Sequence, residues 1–256
     1  HMYFYGKTDV GMRRSVNQDN FMVRAFDTMV LAAVVCDGMG GANGGNVASS
    51  MATRSFMQVI TDREAEYPLF AGMSEEEIND MLVEASVEAN RTVYRKSSVD
   101  EALAGMGTTL VGCLVLPDMI YAINVGDSRM YLTHNSGIRQ ITHDHSMVQY
   151  LVDIGQLTPE EARHSRHKNI ITRAVGTERT VNADVFMIPR ADACGEYIIL
   201  CSDGLTNHVE PEEIGRIVGK CSHEDGDSLA SACAALIRAA NDDGGSDNIT
   251  AVIIAV

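Results

Sequence analysis

Three aspartates lie far apart in the chain, each at the end of an apolar, β-branched run: Asp37 in LAAVVCDGMGG, Asp203 in YIILCSDGL and Asp247 in SDNITAVIIAV. One such aspartate is usually a turn residue. Three of them, two followed by glycine, imply strand ends that converge on one point. Carboxylates gathered together repel unless positive charge lies between them, and hard divalent cations such as Mg²⁺ or Mn²⁺ take oxygen ligands. A metal centre is therefore the leading chemistry. In Asp37-Gly38-Met39-Gly40-Gly41 the missing Cβ atoms let the backbone approach a ligand closely. A carbonyl there could ligate beside Asp37, although the same segment also reads as a glycine-rich turn that merely ends a strand.

Other segments are weaker signals alone. Asn124-Val125-Gly126-Asp127-Ser128-Arg129 joins two strand-like runs, and by itself Gly126-Asp127 is an ordinary hairpin turn. Residues 241–248 form a polar loop before the last apolar run. Arg14, close to Asn17, Gln18 and Asp19, carries the planar fork that suits phosphate, but a lone exposed arginine is usually just solvated. Several phosphate chemistries are excluded. None of the six cysteines begins a Cys-x5-Arg loop, and Met39 stands where an aspartyl-phosphate enzyme would place a second Asp after Asp37. The stretch from Gly215 to Cys221 has its glycines one residue too close for a P-loop and lacks the Ser or Thr. No EF-hand ladder, GxSxG elbow or HExxH pair occurs.

Those residues must be positioned by a scaffold, and the chain is long enough for one. Its 256 residues are 45% hydrophobic and carry a formal net charge of −15. That composition reads as globular, and the charge argues against nucleic-acid binding. No run of 18 apolar residues exists, so no membrane span is expected, and no signal segment opens the chain. His1 before Met2 reads as a tag remnant, giving a single domain over 2–256. The cysteines form no CxxC pair, and several lie in apolar runs. This fits buried free thiols in a cytoplasmic protein.

Strands are expected at 29–36, 108–116, 119–125, 129–133, 183–188, 196–201 and 249–255, from their Val, Ile, Leu and Thr content. Short turns such as Leu116-Pro117-Asp118-Met119 imply antiparallel pairing. Ser74 with Glu77 and Thr158 with Glu161 are capping boxes that open helices. Further helices are expected at 46–61, 144–154, 210–219 and 227–240. The pattern is α+β, sheets covered by helices. The polar stretch 143–175, rich in His and Arg, reads as an insertion over the core.

Taken in order, Thr8-Asp9-Val10-Gly11, Arg14, Asn17-Gln18-Asp19, DGMGG (37–41), GMGTTL (105–110), NVGDSR (124–129), THDHS (142–146), GQLTPEEA (155–162), NIITRAVG (169–176), CSDGLTN (201–207) and SDNIT (246–250) resemble the metal-dependent protein serine/threonine phosphatases of the protein phosphatase 2C type. The match is closest to the compact bacterial members and spans nearly the whole chain. The resemblance implies a four-layer sandwich of two antiparallel β-sheets flanked by α-helices, with residues 143–175 as a mobile flap. It implies that Asp37 bridges two ions, that Asp203 and Asp247 complete one, and that the Gly38 carbonyl serves the other. Asp127, with Asp203, would hold a weaker third ion. Arg14 would bind phosphate, and Asp19 would hydrogen-bond a water of the metal site. Two departures stand out. Gln18 replaces a Glu common in relatives, which implies contact through water, and Met39 replaces a His that some eukaryotic relatives carry as a proposed general acid.

The implied activity is hydrolysis of phosphoserine and phosphothreonine by a metal-activated water, with two Mn²⁺ or Mg²⁺ ions in the core site and no phosphoenzyme. The implied partners are phosphorylated proteins and a Hanks-type serine/threonine kinase whose action the enzyme opposes. Arg163, His164, Arg166, His167 and Lys168 form a basic cluster that would draw in a phosphopeptide or simply be solvated. Rival readings are a phosphoprotein-binding pseudophosphatase, a phosphatase acting on an anti-sigma-factor antagonist, and a structural Ca²⁺ domain.

Overall fold

The computed structural model describes residues 2–135 and 137–256; His1, read as a tag remnant, lies outside them. In chain order the elements are β1 (Phe4–Asp9), β2 (Asp19–Asp27), β3 (Val30–Met39), α1 (Gly44–Glu66), α2 (Glu75–Val99), β4 (Gly107–Thr108), β5 (Leu110–Val115), β6 (Met119–Val125), β7 (Arg129–His134), β8 (Gly137–Gln140), α3 (Met147–Asp153), α4 (Pro159–His164), β9 (Asp184–Pro189), β10 (Tyr197–Cys201), α5 (Asp203–Thr206), α6 (Pro211–Val218), α7 (Gly226–Asp242) and β11 (Ile249–Ala255).

One sheet runs β1-β11-β10-β7-β8 and the other β2-β3-β5-β6-β9, with β4 paired to β3. Every pairing between these strands is antiparallel. Strands apolar on both faces must be covered on both faces, and the side-chain alternation assigns each face its cover. Ala32, Val34 and Cys36 of β3 pack into a core with α1 and α2, including Phe56, Leu82 and Val93. Leu31, Ala33 and Val35 point the other way, onto the second sheet at Ile198, Leu200 and Val252. On the far side Ile249, Ala251 and Ile253 of β11 meet Leu229, Cys233 and Leu236 of α7 and Ile214 and Val218 of α6. Three apolar interfaces thus stack four layers, as expected. A fully buried Leu or Ile in such an interface contributes roughly 1.5–3 kcal/mol.

Both capping boxes form. Ser74 accepts from the Glu77 N–H, and Thr158 accepts from the Glu161 N–H, each with the glutamate reaching back. Three strands have no counterpart in the sequence reading: β1, β2 and β8. Each is an edge strand with a mostly half-buried or exposed face, so it lacks the continuous apolar run that marks an interior strand. The helices expected at 46–61 and 144–154 are Gly44–Glu66 and Met147–Asp153.

The stretch 143–175 carries α3 and α4. Backbone bridges Ser146–Ile171 and Thr108–Val175 tie its two ends to each other and to the core. Cys36, Cys113, Cys201 and Cys233 are buried free thiols, as expected for several of the six, whereas Cys194 is exposed and Cys221 half-buried. Among the described residues no helix is long and apolar enough to cross a membrane.

Candidate active site

Register brings the acids together. Asp19, the first residue of β2, pairs directly with Asp37 near the end of β3. In the other sheet β10 and β11 are neighbours; Asp203 follows β10 and Asp247 precedes β11. The two pairs of strand ends meet at the same end of the sandwich, and two glycines permit the approach. A Cβ on Gly38 would lie 1.8 Å from the Gly45 carbonyl oxygen, and one on Gly204 would lie 1.8 Å from that of Asn248. Glycine at both sites lets the start of α1 close on β3 and the start of α5 close on the chain beside Asp247.

The carboxyl of Asp37 lies within hydrogen-bonding reach of both Asp19 and Asp203. Burial, then the charges of Asp19 and Asp203, push the Asp37 carboxyl well above the ordinary carboxylate range. Burial likewise pushes Asp19 up to about 6, against the hydrogen bonds it accepts from Thr250 and Ser202. Asp203 is raised by burial and by the charges of Asp247 and Asp144. Asp127 is raised by burial and by the charge of Asp203. Positive charge is scarce: the exposed Arg14 Nε lies 3.4 Å from an Asp247 oxygen, and Arg129 is committed to Asp144 at 2.7 Å.

Buried Oδ1 atoms of Asp19 and Asp203 have no hydrogen-bond partner. Among the described residues no three His, Cys, Asp or Glu side chains stand in a ready-made cage for an ion; the acids form a chain, Asp19 to Asp37 to Asp203. Orphaned carboxylate oxygens, carboxylates as the only side-chain donors and raised proton affinities suit a hard divalent cation that would relieve the repulsion. The donor set therefore fits Mg²⁺ or Mn²⁺.

Neutral side chains that the sequence reading did not single out hold these acids in place. Ser202 and Thr250 donate to Asp19 Oδ2 at 2.8 and 2.7 Å. Thr109 Oγ1 accepts from the Asp37 N–H at 3.0 Å and meets Ser128 Oγ at 2.7 Å, linking the Asp37 and Asp127 segments. Asn248 staples the loop that bears Arg14: its Oδ1 accepts from the Gln18 N–H, and its Nδ2 donates to the Val10 and Val16 carbonyls. Their positions inside GMGTTL, CSDGLTN and SDNIT were the available signal. The Gln18 amide nitrogen donates to the Gly40 and Gly41 carbonyls at 3.4 and 3.5 Å.

Asp127 and Asp203 share the wall of a cavity of about 440 Å³, lined also by Val148 of α3, Ala162 of α4 and Lys168 beyond them. The basic cluster of the insertion is divided. Arg163 is engaged with Glu210 at 2.6 Å and with the Thr206 carbonyl at 2.9 Å; His164 and Lys168 line the cavity, and Arg166 and His167 face solvent.

Residues 12–252 match the family model of protein phosphatase 2C. The chain is 37% identical over 248 residues to the serine/threonine phosphatase stp of Listeria monocytogenes, covering 97% of this chain and 93% of the relative. It is 35% identical over 252 residues to protein phosphatase PhpP of Streptococcus pneumoniae, covering 97% and 95%. Its fold matches the crystal structure of serine/threonine phosphatase Stp1 from Staphylococcus aureus with a TM-score of 0.86 at 32% identity, over 100% of this chain and 95% of that one. It also matches the catalytic domain of PstP in complex with 2 manganese ions, with a TM-score of 0.79 at 30% identity, over 99% and 97%. Strand ends that gather acids from both sheets, the full-length match and these relatives lead to one conclusion: the chain belongs to the protein phosphatase 2C family.

Proposed function

We propose that the chain, a protein serine/threonine phosphatase by its family, works with Mn²⁺ or Mg²⁺ in a two-ion core site and opposes a bacterial serine/threonine kinase. The observation that carries this reading is the chain of acids, Asp19, Asp37 and Asp203, packed together with unpartnered oxygens on Asp19 and Asp203, while the buried Arg129 nearby is committed to Asp144. When bound, a pair of divalent cations supplies an acidified water for attack on phosphorus and positive charge for the phosphoryl oxygens. Asp37, the Gly38 carbonyl, Asp203 and Asp247 would hold those ions, and Asp127 with Asp203 a third.

Asp19 keeps one oxygen fixed by Ser202 and Thr250 and leaves the other free, which suits it to orient a water. Arg14 is exposed and leans on Asp247, and its guanidinium would clamp non-bridging phosphate oxygens. His164 and Lys168 in the cavity beside Asp127 would meet the acidic flanks of a phosphopeptide. The complete acid set and the phosphatase names of the relatives weigh against a pseudophosphatase. The test is a panel of phosphoserine, phosphothreonine and phosphotyrosine peptides with Mn²⁺, Mg²⁺ or EDTA. Turnover of the first two with added metal and none in EDTA is expected; turnover that survives EDTA would overturn the metal reading.

A further inference from the structure

His145, in the buried first stretch of the insertion, is clasped to the turn that carries Asp127. The His145 backbone N–H donates to the Gly126 carbonyl at 2.9 Å. The Gly126 N–H donates to His145 Nδ1 at 3.0 Å. An amide N–H can only donate, so Nδ1 is the acceptor and carries no proton. Nε2 then bears the hydrogen and donates to Asp184 Oδ2 at 2.7 Å. Asp184 in turn receives Arg173 at 3.1 Å from the other end of the insertion. Asn124 completes the set, donating to both the Gly126 and His143 carbonyls. Gly126 itself has φ +112°, a conformation that the missing Cβ makes accessible.

We infer that His145 is a positioning residue: held in the Nε2–H tautomer by Asp184, it fixes the Gly126–Asp127 turn and so couples the root of the insertion to the aim of the Asp127 carboxylate. The inference rests on the reading that Asp127 serves the reaction. The physical reason is tautomer selection. Without Asp184 the proton is free to move to Nδ1, where it would face the Gly126 N–H donor against donor. A partner that orients another group in this way typically changes affinity or activity by about 10- to 100-fold when removed.

The experiment compares His145→Ala, His145→Asn, Asp184→Ala and Asp127→Asn, alone and in the pair His145→Ala with Asp127→Asn. In the metal-free protein, hydrogen exchange at the Gly126 amide should speed up at least about tenfold in His145→Ala and stay near wild type in His145→Asn, whose Oδ1 replaces Nδ1 as acceptor. Imidazole ¹⁵N shifts should report the Nε2–H tautomer in the wild type and a changed mixture in Asp184→Ala. With Mn²⁺, His145→Ala should lower kcat by about 10- to 100-fold and raise the Mn²⁺ concentration needed, His145→Asn should recover most of that loss, and the double variant should be no worse than Asp127→Asn. Unchanged Gly126 exchange in His145→Ala, an Nδ1–H tautomer, or additive losses in the double variant would overturn the inference. Full activity in Asp127→Asn would instead remove the reading of Asp127 on which it rests.

Discussion

Ser202 donates its hydroxyl proton to Asp19 across 2.8 Å, although 183 residues separate them in the chain. Ser202 immediately precedes Asp203, and Asp19 pairs in register with Asp37. One hydrogen bond therefore ties the acid pair of one sheet to the acid of the other. A hydrogen bond to a charged or partly charged acceptor contributes roughly 1.5–3 kcal/mol. Ser202→Ala and Thr250→Val should each destabilise the fold by about 1–3 kcal/mol and lower kcat, because Asp19 loses one of its two anchors. Urea denaturation checks the first and steady-state kinetics the second; unchanged kcat with lowered stability would reduce these hydroxyls to a purely structural role.

Asp37→Asn and Asp203→Asn should fold and lose activity by on the order of 10³ or more, since several kcal/mol of transition-state stabilisation go with the ions they would hold. The same variants should be more stable than the wild type when both are stripped of metal. Burial and neighbouring charge raise the proton affinity of Asp37, so replacing it with a neutral amide relieves repulsion. Melting curves in EDTA measure this, and a lower melting temperature for Asp37→Asn than for the wild type would contradict it.

Gly38→Ala places a methyl group 1.8 Å from the Gly45 carbonyl oxygen, and Gly204→Ala places one 1.8 Å from that of Asn248. Backbone must move to admit either. Overpacking of this kind costs about 1–3 kcal/mol, and here the shift falls on the segments that aim Asp37 and Asp203. Each variant should remain folded with a lowered melting temperature and lose most of its activity. Normal turnover by Gly38→Ala would show that the carbonyl there is not needed where it lies.

Burial holds the His145 imidazole below its ordinary value of 6.5, with the Asp184 hydrogen bond opposing and the Arg173 and His143 charges reinforcing the depression. The unfolded chain therefore takes up this proton at higher pH than the folded one. Stability from this group is complete above 6.5 and is lost as pH falls through the lower folded value. Denaturation midpoints of the wild type and His145→Asn, measured as pH falls from neutral, should show the wild type losing its advantage. A difference that does not change with pH would rule this titration out.

Much of the scaffold was legible in the chain itself. Interior strands such as β5, β6, β10 and β11 are continuous apolar runs because both faces are covered, and the capping boxes at Ser74 and Thr158 are local chemistry. The edge strands β1, β2 and β8 were not legible, although β9, also at an edge, was. In β1 and β2 one face meets solvent and the pairing partner, not the composition, makes the strand; Asp19 could be matched to Asp37 only once β2 was known to lie beside β3.

The same division runs through the site. Residue type and spacing marked Asp37, Asp203 and Asp247 as candidates to ligate a hard cation, because carboxylates at the ends of apolar runs, two of them followed by glycine, are a local property. The family resemblance gave roles to Asp127 and Asp19 and strengthened the phosphate reading of Arg14. Tertiary structure alone decided what supports them. Thr109, Ser202, Thr250, Asn248 and His145 are ordinary polar residues in sequence, and their roles come from long-range partners. It also decided that Arg163 is spent on Glu210 and that Gln18 leans on the glycine turn. A hydroxyl or an imidazole gains its function from the group it faces, and that facing is fixed only when two sheets close on each other.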